Sequence, residues 1–509
     1  MSRFHFPKPV LPHFAAGLII LIGLALRLRQ YLSGRSLWLD EAMLALNIVQ
    51  RDFGELLKPL DYDQGAPLGF LMLEKLTTSL LGNGELTLRL PSVIAGCLAL
   101  LFFYLLLKRF LSPVGLLPAL ALFAISEQLI YYTSELKQYT FDVFILLGLL
   151  LIFLYPTPKQ AESKPPDRAW MLLLGAGALA VWVSHPSVFG LAGIGLTLLW
   201  QNRQNWHRLT RVGLLLLAWL VSFGGVFLAS LNALSANNFL MAYWQDYFMP
   251  MPPWSNPGWI VETLTSSLTY FAPRLPTWLA LTLLLAGFIH LWRLDLSLAA
   301  VFALTLLAGF GASALGKYPL GGRMLLFLAP ISIGLVGAAF EGLLRVLERI
   351  PRLPRLLAPL MISLLAVFLL VPPAAQALDN FVSPRMQENI HPAMRTLRTE
   401  YQPDDLIYIY YGAMPAFRYY APFYDFNENE FQAGKLSYNR LLAPTIRDID
   451  SLKGNPRVWV LFSHVYEADG INEREAILAY IDEQKMGKCR LESREPGTSV
   501  LLYLCNFAP

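Results

Sequence analysis

Eleven stretches of this 509-residue chain are apolar and near bilayer-spanning length, at about 11–32, 87–107, 113–130, 138–155, 169–184, 186–200, 210–231, 275–292, 296–315, 322–344 and 355–375. A bilayer core asks for roughly 20 apolar residues in a helix. Only 15% of residues are charged and mean hydropathy is +0.47. These values exclude a soluble enzyme, a disordered chain and a disulfide scaffold. The first 375 residues hold 26 basic and 18 acidic side chains, and residues 376–509 hold 14 and 18. The front reads as a polytopic membrane domain, 1–375, and the back as a water-soluble α/β domain, 376–509. No basic stripe remains beyond what membrane topology explains, so nucleic acid is not an expected partner.

Segment 67–82 is apolar but carries Glu74 and Lys75 at its centre. If it does not span, the cytoplasmic loops hold Lys108, Arg109, Lys159, Lys164, Arg168, Arg203, Arg208, Arg211, Arg293, Arg345, Arg349, Arg352 and Arg355. From residue 108 to 375 the other side then keeps only Lys137, Arg274, Lys317 and Arg323. Spanning by 67–82 would invert that bias, so the positive-inside rule reads it as an interfacial helix on the outer surface. The expectation is 11 transmembrane helices, a cytoplasmic N-terminus and an extracytoplasmic C-terminal domain, in a bacterial inner or plasma membrane. Arg3 and Lys8 precede the first apolar run, and no small-residue cleavage site follows it, so that run reads as an uncleaved helix.

This topology puts two long polar loops, 33–86 and 232–274, on the outer face, where chemistry is therefore expected. In the tail, 406–411 and 457–462 read as strands, and Ala413 to Tyr420 and Glu473 to Lys485 as helices. Lys488 to Ser493 and Ser499 to Cys505 read as a hairpin joined by Glu495-Pro496-Gly497. That pairing sets Cys489 opposite Cys505 as a disulfide candidate in an oxidising compartment. Cys97 reads as a packing residue.

Asp40 and Glu41 are adjacent acids just beyond the first apolar run, at the head of a helix read over 38–52. They can complement the helix dipole, serve as a general base, or hold a divalent metal ion, without a full ligand set in view. Gln64 can bind a sugar or cap the turn before Pro67. Arg89 can meet a carboxylate or lipid headgroups. Glu135, Lys137, Tyr139 and Asp142 cluster at a helix junction, and an ionisable group such as Asp142 inside a span is a functional candidate. His185 occupies a short turn, and Lys317 and Arg323 offer two cations suited to phosphate or to headgroups.

With these residues in view, the sequence resembles the C-type glycosyltransferases, in the superfamily of protein O-mannosyltransferases and the lipid A aminoarabinose transferase. The resemblance is carried by Trp38-Leu39-Asp40-Glu41-Ala42, Gln64-Gly65-Ala66-Pro67-Leu68, Arg89-Leu90-Pro91-Ser92 and Tyr131 to Tyr139. These cover about the first 145 residues. It implies many helices around an outer-face cavity, a polyprenyl-phosphate sugar donor and transfer with inversion. Asp40 matches the catalytic acid and Glu41 the second acid. Many relatives have Pro-Pro where this chain has Ala66-Pro67, and Arg where it has Glu135; Lys137 is the cation available in its place.

The resulting expectation is a membrane glycosyltransferase with Asp40 as base and Glu41 supporting it or orienting the acceptor. Lys137, Lys317 and Arg323 would bind the donor phosphate, and Gln64, Glu135, Tyr139 and His185 the sugar or acceptor. The partners are membrane lipids, the lipid-linked sugar, and an acceptor hydroxyl on a protein, lipid or glycan; no cofactor is required beyond the metal left open. A transporter or flippase of lipid-linked sugars would explain the spans equally well, but internal repeats are absent from the sequence. A non-catalytic scaffold is the third reading.

Overall fold

The computed structural model describes residues 10–155, 167–351, 353–427, 430–434, 442–468, 470–484, 486–494 and 498–508. Arg3, Lys8, Lys159, Lys164, Arg352 and the Glu495-Pro496-Gly497 turn lie outside them. Each of the eleven apolar stretches coincides with helix. Among the described residues, however, seven helices are long and apolar enough to cross a membrane. They are Pro12–Tyr31, Glu85–Phe110, Trp206–Leu231, Thr277–Leu294, Leu296–Ala314, Gly322–Leu347 and Leu357–Val382. Pro113–Ile125 and Glu127–Thr133 make an eighth if the pair, bent by 50°, is one span. Tyr139–Phe153, Asp167–Val183 and Ser187–Asn202 are shorter, at 15, 17 and 16 residues. The count of eleven therefore exceeds what helix length alone supports.

The first helix accommodates the bend. A break at Ser126 frees carbonyls of the preceding turn, and freed carbonyls at membrane depth need internal donors. Buried Arg27 supplies them, donating to Ala124 O at 2.9 Å and Phe123 O at 3.1 Å. The segment around 67–82 forms Leu68–Leu81, 14 residues with Gly82 at φ +89° closing it. At 1.5 Å per residue it reaches about 21 Å, short of a bilayer core of about 30 Å.

The C-terminal sheet has the order Gln432–Ala433, Leu406–Ile409, Val458–Phe462, Leu501–Asn506, Lys488–Arg494. The first three strands are parallel and the last two antiparallel. Strand periodicity divides its side chains between two cores. Tyr408, Val458, Val460 and Phe462 pack with Ile449, Ile477 and Ile481. Ile407, Ile409, Trp459 and Leu461 instead join Leu37, Ala42, Phe70, Leu88 and Leu136 from the front of the chain. One hydrophobic cluster thus glues the sheet to the loops beyond the first span. Cys489 pairs with Cys505 in register and the two form a disulfide.

Candidate functional site

The site grows from the Leu39–Gln50 helix, where consecutive side chains diverge by about 100° around the axis. Asp40 and Glu41 therefore face different ways despite adjacency. Glu41 is fully buried. It accepts from Arg89 Nε at 2.8 Å and Nη2 at 2.6 Å, Arg35 Nη1 at 3.2 Å and the Leu136 N–H at 2.8 Å. Burial opposes its charge, but the two arginines outweigh burial and hold its carboxyl below the usual range. Arg35 also donates to Ser134 O at 2.7 Å, and Arg89 to Arg35 O and Ser36 O. So Glu41 ties the loop at 34–38 to the 134–138 turn, and its oxygens are used up by that task.

Asp40 is half-buried and pairs with Arg323 Nη1 at 2.6 Å. Burial works against its charge, yet Lys137, Arg323 and His464 together lower its pKa. The Arg323 guanidinium lies over three rings, Trp38 at 5.9 Å, Tyr139 at 5.6 Å and Trp244 at 5.6 Å. Aromatic faces hold a cation without neutralising it. Lys137 is buried and donates to Gln64 Oε1 at 2.7 Å. Burial pushes its ammonium pKa down, and Asp40 opposes that.

Glu135 is buried and accepts the Trp38 Nε1–H at 2.9 Å, while its second oxygen has no partner among the described residues. Burial, reinforced by Glu41, raises its pKa. The turn carrying Glu135 and Lys137 is set close by Gly96, where a Cβ would stand 2.4 Å from Thr133 Oγ1. His185 lies in the turn before Ser187–Asn202; burial lowers its imidazole pKa to about 4, and Nε2 has no partner among the described residues.

Of the residues chosen from sequence, Asp40, Arg323, Lys137, Gln64, Tyr139 and Glu135 meet in one constellation. Lys317 does not join it. Its side chain is exposed and makes no hydrogen bond or ion pair among the described residues, while Arg323 turns inward. Nor do Asp40 and Glu41 converge on one ion, since different arginines engage them. Among the described residues, no group of three or more His, Cys, Asp or Glu side chains can hold a metal. The residues present do not fit the divalent ion that the acidic pair left open.

Sequence reasoning passed over Arg35, Trp244 and a set of tail residues. Glu388 accepts the Leu39 N–H at 3.0 Å and faces His464 Nδ1 at 2.7 Å. Tyr420 Oη accepts the Leu37 N–H at 2.8 Å and donates to Glu85 at 2.8 Å; His391 meets the same Glu85 oxygen at 2.8 Å. At the other end of the Asp40 helix, Lys75 donates to the carbonyls of Ile48 at 3.0 Å and Val49 at 3.3 Å. Of the two ionisable groups at the centre of the 68–81 helix, Lys75 thus has a use: it caps a helix C-terminus.

No curated protein matches the sequence. The family model described as dolichyl-phosphate-mannose-protein mannosyltransferase matches residues 65–227, a segment that begins after Asp40. The chain is similar in structure to ArnT from Cupriavidus metallidurans in the apo state, with 12% identity, coverage of 96% of this chain and 98% of that chain, and a TM-score of 0.52. It is also similar to the Archaeoglobus fulgidus oligosaccharyltransferase tethered with an acceptor peptide containing the NVT sequon, with 14% identity, 90% and 69% coverage and a TM-score of 0.52. A third likeness is to the oligosaccharyltransferase AglB from Archaeoglobus fulgidus in complex with an inhibitory peptide and a dolichol-phosphate, with 13% identity, 90% and 70% coverage and a TM-score of 0.50. This is an integral membrane protein with the fold of the C-type glycosyltransferases; the likeness of fold covers nearly the whole chain, and the family match residues 65–227.

Proposed function

We propose that this protein transfers a sugar from a polyprenyl-phosphate donor to an acceptor hydroxyl at the outer face of the membrane, with Asp40 as general base. The observation that carries the reading is the Asp40–Arg323 pair, a half-buried carboxylate against a cation held by aromatic rings, with buried Lys137 close enough to act on the same carboxylate. A lipid-phosphate leaving group needs cations as its charge develops, and an acceptor hydroxyl needs a base. The dolichol-phosphate bound by the similarly folded AglB supports a lipid phosphate as the donor's carrier.

In this reading the donor phosphate competes with Asp40 for Arg323. Loss of that partner makes Asp40 more basic when the donor is seated. The acceptor oxygen attacks the anomeric carbon and its proton passes to Asp40. The bond from that carbon to the phosphate oxygen breaks, and its electron pair leaves with the lipid phosphate, facing Arg323 and Lys137. Attack from the opposite face inverts the anomeric configuration. Gln64 and Tyr139 shape the sugar side, with His185 a further pocket candidate. Glu41 supports Asp40 by fixing the loop rather than by meeting the acceptor.

The same reading takes all eleven apolar helices as spans, with a cytoplasmic N-terminus and residues 376–509 as an extracytoplasmic domain. Asp40→Asn tests it. Transfer from undecaprenyl-phosphate-linked sugars should fall by at least roughly two to four orders of magnitude. The variant should still fold and insert into the membrane. Wild-type turnover in that variant removes Asp40 from the base role.

A further inference from the structure

Asp40 stands second in its helix, and the first residue of that helix is held from the far end of the sequence. The Leu39 N–H donates to one Glu388 oxygen at 3.0 Å, and the other lies 2.7 Å from His464 Nδ1. The backbone carbonyl of Glu388 accepts from Ser36 Oγ at 3.1 Å, and that oxygen accepts from the Ile390 N–H at 3.0 Å. The first turn of a helix has N–H groups without intrahelical partners, and its positive end favours an anion. Glu388 provides both hydrogen bond and charge. It is 4% exposed, and a buried carboxylate requires such partners.

His464 is held at a cost. Its φ is +48°, a left-handed conformation uncommon outside glycine. Gly412 makes room for that turn, since a Cβ there would lie 2.6 Å from His464 O and 2.8 Å from Ser463 O. The ring sits 6.3 Å from Trp38 and 5.0 Å from Tyr466. Trp38 in turn binds Glu135 and underlies Arg323. A strained backbone thus delivers an imidazole to the carboxylate that caps the Asp40 helix.

We propose that Glu388 and His464, from the C-terminal segment, are positioning residues for Asp40, with His464 aiming Glu388 and Glu388 fixing the N-terminus of the helix that carries the base. This rests on the reading of Asp40 as base.

The test uses the full-length protein in detergent with a panel of undecaprenyl-phosphate-linked hexoses and pentoses. His464→Gly keeps the left-handed turn and removes the ring. His464→Asn tolerates the same backbone and keeps a donor where Nδ1 stood. Glu388→Ala removes the cap. For His464→Gly and Glu388→Ala, kcat should fall roughly tenfold to hundredfold, as misplacement of a reacting group does. Donor KM should stay within about twofold. Amide exchange at residues 37–42 should rise, and His464→Asn should restore both readouts. Unchanged kcat in His464→Gly and Glu388→Ala overturns the proposal, as does unchanged exchange or failure of Asn to rescue. Turnover by Asp40→Asn, or none by the wild type, strikes the transferase reading instead; the exchange arm still decides whether the tail holds the helix.

Discussion

Arg89 and Glu41 are locked together at 2.8 and 2.6 Å, across 48 residues of sequence and without exposure to solvent. Removing Arg89 leaves only Arg35 and the Leu136 N–H to balance the buried Glu41 charge. Arg89→Met should cost about 3–5 kcal/mol of stability. Thermal unfolding in detergent reads this directly, and a loss under about 1 kcal/mol would mean that the pair behaves like an exposed one.

The Asp40–Arg323 pair carries a pH prediction. Asp40 is lowered against burial by Lys137 and Arg323. Its stabilising contribution is thus present above the ordinary carboxylate range and lost as pH falls through the depressed value. Under the proposed function activity follows the same direction, because a general base acts only when ionised. Arg323→Gln should raise the Asp40 pKa and move the acid limb of the kcat/KM profile to higher pH. An unmoved acid limb would show that Asp40 is not the group titrating there.

Glu135 behaves oppositely. Burial and Glu41 raise its pKa, so its carboxyl favours the fold below the ordinary carboxylate range and loses that advantage as pH rises through the raised value. Glu135→Gln keeps an acceptor for the Trp38 N–H and abolishes titration. The variant should gain thermal stability relative to wild type at pH 8 and show little difference at pH 4. Equal shifts at both pH values contradict the assignment.

Lys75 caps the C-terminal end of the Asp40 helix through Ile48 and Val49. Lys75→Met retains its apolar stem and removes the donors. Hydrogen bonds from charged groups contribute about 1.5–3 kcal/mol, and a loss of that size is expected on unfolding. Faster amide exchange confined to the last turn of that helix would locate the effect.

The sequence reveals much of this fold because a membrane helix is written locally. A bilayer-length apolar run is visible without knowing its neighbours, and every such run is helical here. Helix length is less legible, and Tyr139–Phe153 stops at 15 residues. Around the site, Asp40, Lys137, Arg323 and Gln64 stand out as polar groups beside apolar runs. Glu41 looks like a twin of Asp40 until the helix turns it inward. Lys317 looks like a twin of Arg323 until the turn leaves it in solvent. Glu388 and His464 have no local signal, because their meaning lies in residues more than 340 positions away.

The clasp between Glu388 and Leu39 also bears on the order in which the protein is made. A nascent chain that has not yet reached residue 388 can already contain every helix of the bundle, with the Asp40 carboxylate and Arg323 both present. The amide that opens the Asp40 helix has no carboxylate to receive it until residue 388 emerges. Translation products that stop short of residue 388 would therefore carry these helices with the Leu39 amide uncapped, and the capping contact would form only once Glu388 has been made.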